Sequence, residues 1–209
     1  MNKIHSICIL ALMLPLCAFA QYDGTPMNKT GDTKKAETAV RTDKYPHSDN
    51  DWENFDVLHI NRLPSAATFM AYTTKEKAVK NDKSQSEYFQ SLNGTWKFQF
   101  VPRSDQRPMD FFEKGHDVSG WGNIKVPANW EMEGYGHPFY VGAGYGIKRN
   151  PPLIAVENSP VGSYKRTFNV PANWKGKQIV LHFGGVASAF YVWVNGEKGG
   201  LLARFQDPQ

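Results

Sequence analysis

The chain has 209 residues, 41% hydrophobic and 13% aromatic, which is ample for the core of one ordinary domain. Its formal net charge is +4 with Lys and Arg scattered along the chain, and no RNA- or DNA-binding motif occurs, so a nucleic-acid partner is excluded. Six Trp and thirteen Phe suit an aromatic-rich β fold, and exposed members of the same set suit stacking on sugars.

The N-terminus combines a short basic start at Lys3, an apolar run from Ile7 to Leu16, and a small-x-small site at Ala18-Phe19-Ala20. That pattern predicts a secretory signal peptide over residues 1–20 and an exported product, periplasmic or extracellular in a bacterium. The apolar run is too short to span a bilayer. Leu16 before Cys17 is not small, so the lipidation pattern is not met; both cysteines, Cys8 and Cys17, lie within the signal. Residues 21–48 are rich in Lys, Thr, Asp and Gly with few apolar side chains and predict a flexible tether.

The folded part is expected over residues 49–198, opening at Asp51-Trp52-Glu53-Asn54. Thr74 to Lys80 predicts a short helix with Thr74 as its cap. After the Asn93-Gly94 turn, Trp96, Phe98 and Phe100 alternate with Lys97 and Gln99, which predicts a strand with one core face. Arg103 to Gly115 is polar and turn-rich, Trp121 to Val126 predicts a short strand, and the Gly-, Pro- and Tyr-rich stretch to Pro152 a long structured loop. Tyr164, Arg166 and Phe168 alternate with Lys165, Thr167 and Asn169, which predicts a strand near a sheet edge. Val180 to Phe183 and Phe190 to Val194 read as two buried strands joined through Gly184-Gly185, the second apolar on both faces and therefore expected mid-sheet, with a tight Asn195-Gly196 turn behind it. Antiparallel β with turns at short spacing predicts a sandwich or jelly roll.

Chemistry-bearing motifs are few. No GxSxG elbow, phosphate loop, dinucleotide fingerprint or HExxH helix occurs, and the isolated His residues make no metal set. Glu131 and Glu133 form a close carboxylate pair beside Trp130, the minimum for glycoside hydrolysis, although a solvated loop edge is the default reading of such a pair. Trp130, Tyr135, His137, Phe139, Tyr140 and Tyr145 cluster among glycines, either as a surface for a flat ligand or as core packing beneath a loop.

Five segments in order resemble one family: Asp51-Trp52-Glu53-Asn54, Ser91 to Phe98, Val126 to Gly136, Asn150-Pro151-Pro152, and Phe183 to Gly196. Together they resemble the N-terminal sugar-binding domain of glycoside hydrolase family two β-galactosidases. The resemblance implies an all-β, galactose-binding-like jelly-roll sandwich, incomplete at its C-terminus. It also implies a β-galactoside or related glycan as partner and a retaining mechanism run by two Glu of a separate barrel, so that neither Glu131 nor Glu133 is catalytic and no catalytic residue lies in this chain. It implies no cofactor here, although full-length relatives often use Mg and Na ions. The substrate-binding candidates it suggests are Asn129, Trp130, His137, Tyr140, Gly142 and Tyr145, with Gly142 standing where family members carry an Asn that shapes the galactose site. After Lys198 the sequence leaves the family pattern, so residues 199–209 are expected to be a divergent tail from a frameshift or truncation near Gly199. The chain is then a fragment inactive by itself; the alternatives are a free carbohydrate-binding module around Tyr140, or a remnant whose Phe190 to Val194 strand lies exposed along an edge.

Overall fold

The computed structural model describes residues 4–12, 50–54, 57, 59–64, 69–138 and 153–203. The tether and the loop from residue 139 to 152 lie outside the described residues. Among the described residues seven strands form one antiparallel sheet: β1 (Ile4–Leu12), β2 (His59–Ile60), β3 (Gly94–Val101), β4 (Gly122–Val126), β5 (Val161–Asn169), β6 (Ala189–Val194) and β7 (Glu197–Ala203). Their order is β2-β7-β6-β1-β5-β3-β4. One short helix, α1 (Lys75–Lys80), lies outside the sheet, and the Thr74 hydroxyl caps it by accepting the Lys77 N–H at 3.3 Å. The chain therefore has the all-β class expected of a jelly-roll sandwich domain.

The sheet has a core on each face. Trp96, Phe98, Ile124, Phe190 and Val192 meet Ile7, Ile9 and Trp130 on one side, and Cys8, Val101, Phe111, Val161 and Tyr191 meet on the other. Both cores exist because the middle strands are apolar at successive positions: Phe190 and Val192 point to the first cluster and Tyr191 to the second. The β6–β7 hairpin turns on Asn195 and Gly196, at φ 55° and 90°, the left-handed pair that matches strand twist.

Three expectations are corrected. β6 is no edge; β1 pairs with it on one side and β7 on the other. Val180 to Phe183 is not a strand, because both places beside β6 are already filled. Val180 is 56% exposed, while Leu181, Phe183 and Val186 lie against the first core as a cover, Phe183 stacking obliquely on Phe190 at 4.9 Å. β5 is not near an edge either, since it sits between β1 and β3. Two of its polar side chains, Lys165 and Arg166, end on backbone carbonyls of the chain. The Lys165 ammonium, 8% exposed, donates to the carbonyls of Phe111, Glu113 and His116 at 3.0, 3.1 and 3.3 Å. Arg166 donates to the carbonyls of Leu92 and Asn93.

Residues 7–12 of the stretch read as the core of an export signal lie in β1, and residues 13–16 are outside the described residues. Ile4–Leu12 pairs along its whole length with Asn169–Val161 of β5 and, from Ile7 on, with Val194–Ala189 of β6. Gly199–Ala203, read as the start of a divergent tail, belongs to β7. Among the described residues no helix is long and apolar enough to cross a membrane.

Candidate functional site

The predicted site residues fall on a 3-10 turn, Trp130–Glu133, that follows β4. Asn129 precedes it, exposed, and gives no side-chain cap to the turn; His137 is exposed beyond its end. Trp130 points inward. It is 6% exposed, its ring 6.3 Å from Phe98 and 5.7 Å edge-on from Phe100, so neither indole face is open to a ligand. Gly162 on β5 makes this possible, because only hydrogen stands between its Cα and the two rings. Tyr135 also packs on Phe98, at 4.7 Å. Phe139, Tyr140, Gly142 and Tyr145 lie outside the described residues. The structure thus brings Asn129, Trp130 and His137 to one turn without converging them on a common cavity.

The carboxylate pair is split by the same turn. Glu133 is exposed, whereas Glu131 is half-buried with an Oε1 that makes no hydrogen bond among the described residues. Tyr164 feels it: burial pushes its phenol well above the ordinary range, and the Glu131 charge adds to that.

A second place, on the opposite face, has the geometry of a binding cleft. Trp52, Arg107, Pro108, Met109, Phe112, Tyr191, Trp193 and Lys198 line a cleft of about 150 Å³ floored by Phe111. The rings are fixed by one another. Trp52 meets Tyr191 edge-on at 5.9 Å, and Phe112 stacks parallel on Trp193 at 5.0 Å. The polar groups are fixed by charge. The Asp51 carboxylate accepts from Tyr191 Oη and from Lys198 Nζ, each at 3.1 Å, and the Arg107 guanidinium lies 5.0 Å over the Trp52 ring. Burial first, and the adjacent Asp51 second, pushes the Tyr191 phenol up, so it stays a neutral donor. Rings flanked by fixed donors and one acceptor can stack on the apolar face of a sugar ring and pair with its hydroxyls.

Sequence reasoning singled out Asp51-Trp52 as an opening motif and missed its partners. Arg107 and Phe112 sit in a stretch that reads as polar turn, and Lys198 at what reads as the family boundary. No group of three His, Cys, Asp or Glu stands together among the described residues. The nearest acidic residues are engaged, Asp51 as above and Glu53 by Ile154 N–H at 2.9 Å and the Asn50 amide at 3.0 Å.

Residues 89–204 match the family model described as the sugar binding domain of glycosyl hydrolases family 2. The chain is 39% identical over 175 residues to a β-galactosidase of Priestia megaterium, 82% of this chain and 16% of that protein. It is 37% identical to β-galactosidases of Psychromonas ingrahamii, over 70% of this chain and 14% of that protein, and of Halalkalibacterium halodurans, over 72% and 15%. The chain therefore spans 14–16% of the length of these curated relatives.

Proposed function

Because the chain belongs to the sugar binding domain family of glycosyl hydrolases family 2, we propose that it is the glycan-recognition module of an exported β-galactosidase-type hydrolase. In the whole enzyme, hydrolysis of terminal β-galactosyl residues falls to carboxylates outside this chain. The family match over residues 89–204 carries the reading. Retaining hydrolysis needs two carboxyl groups about 5 Å apart across an open sugar site. Glu131 is half-buried with an Oε1 closed off from solvent and Glu133 lies on the surface, so this pair does not face one open sugar site.

Recognition rests on the cleft. A galactoside entering it would stack on Trp52, donate to Asp51 and accept from Arg107 or Lys198, displacing water from a ring that is already held in place. Titration of the chain with methyl β-galactoside, followed by Trp fluorescence, is expected to show saturable binding that Trp52→Ala weakens at least tenfold. A chromogenic β-galactoside is expected to stay intact. Turnover that Glu131→Gln abolishes would overturn the non-catalytic reading, and binding indifferent to Trp52→Ala would remove the cleft.

A further inference from the structure

We propose that the gap between β5 and β6 is a strand-acceptor site whose resident is the chain's own segment Ile4–Leu12, so that this sheet exists in chains that keep the segment and opens in chains processed after Ala20. The topology makes the first case. Among the described residues, in the order β2-β7-β6-β1-β5-β3-β4, β1 is the strand that joins the three on one side to the three on the other. Nine of its residues pair with β5 and six with β6, both antiparallel.

Packing makes the second. Ile7 and Ile9, 0% and 8% exposed, enter the first core, and Cys8, 1% exposed, enters the second, its thiol donating to the Phe111 carbonyl at 3.8 Å. The site therefore selects an extended strand that is apolar on both faces and free of Pro and charge. Ile7–Leu12, ICILAL, the six residues paired on both sides, meets each of those requirements. Few sequences do so, because a strand with one polar face would bury unpaired polar groups in one of the two cores. This is strand addition, in which main-chain hydrogen bonds supply affinity and alternate side-chain pockets supply selectivity.

The sequence makes the third. The same residues are the apolar centre of the export-signal pattern, and a segment cannot be paired between two strands and held by an export receptor at once. Retention and folding therefore oppose export and cleavage. Removing the segment would leave Val161–Asn169 and Ala189–Val194 each with one unpaired edge, a surface that accepts another strand. The inference does not rest on the glycan reading, although Tyr191 and Trp193 of the cleft lie on β6, so opening the sheet would disturb the cleft as well.

The test uses the full chain with a site-specific protease sequence placed at residues 30–36. After cutting, the N-terminal piece is expected to co-elute with the rest on gel filtration, and amides of residues 161–169 and 189–194 to keep their protection from hydrogen exchange. Excess synthetic peptide of residues 4–12 should displace it. Ile7→Asp should lose the piece on cutting and raise exchange at both strands at least tenfold, while Ile7→Val should do neither. If Ile7→Asp fails to fold, displacement by the peptide decides. A piece that leaves at once with exchange in both strands unchanged overturns the proposal, as does retention that depends on protein concentration, which would make the resident another copy's segment.

Discussion

Gly162→Ala probes the packing that holds the turn after β4 onto the sheet. A Cβ built on Gly162 would lie 2.6 Å from Trp130 Cζ3, 2.7 Å from Phe98 Cε2 and 2.8 Å from Trp130 Cε3. Carbon atoms in contact settle at about 3.5–4.0 Å, so both rings would have to retreat by roughly 1 Å. Neither has room. Phe98, 1% exposed, is backed by Tyr135 at 4.7 Å and Tyr164 at 4.6 Å, and Trp130 by Phe100 at 5.7 Å. Overpacking costs about 1–3 kcal/mol, and two blocked rings place this change near the top of that range. Against a whole-domain stability of about 5–15 kcal/mol the effect is large. With a urea slope of about 2 kcal/mol/M, the midpoint should fall by about 1.5 M. Gly120→Ala is the control, because nothing lies within 4 Å of its added Cβ. Equal midpoints for the two variants would refute the packing account, and with it the inward assignment of Trp130.

Lys165→Met should destabilise the fold by about 2–3 kcal/mol, because it leaves three buried carbonyls short of a charged donor, and a urea melt measures it. A melt indistinguishable from the parent would mean that solvent satisfies those carbonyls. Alkaline pH gives the other test. Burial, then Glu131 for Tyr164 and Asp51 for Tyr191, raises both phenols above their unfolded value of about 10. Both groups are protonated in either state below that value, so their contribution is intact there. Above it the unfolded chain loses protons that the native chain keeps, and stability should fall as pH rises past about 10. Absorbance at 295 nm should show two of the nine tyrosines ionising only as the fold is lost, and all nine titrating together near pH 10 in the native protein would contradict this.

Local order was legible wherever one residue decides a local geometry. Thr74 announced a helix start, Asn195-Gly196 a hairpin, and the two apolar faces of Phe190 to Val194 an inner strand, each of which follows from contacts a few residues apart. Position within the sheet was not legible, because it depends on distant partners. Lys165 and Arg166 read as a solvated edge, yet their donors end on carbonyls some fifty to seventy residues away. Val180 to Phe183 alternates like a strand but finds no open ladder. Trp130 lies near the candidate loop in sequence and inside the core in space because Gly162, across the sheet, leaves a hole for it. The cleft drew its members from residues 51–52, 107–112 and 191–198, three stretches with no shared local signal. Ile4–Leu12 carries one composition that suits an export signal and an inner strand alike, and only pairing separates them.

The placement of β1 also sets a clock. Leu12 pairs with Val161 and Ala189, so the first strand synthesised must wait for nearly the last before either of its ladders can close. At about 5–20 residues per second that interval is on the order of 10–40 s. For all of it the segment has no strand to join, and a receptor that binds apolar stretches has only to act within it. The fate of each molecule is then a race between elongation and capture, one that a slow codon run before Val161 would tilt toward capture and faster synthesis toward closure of the sheet.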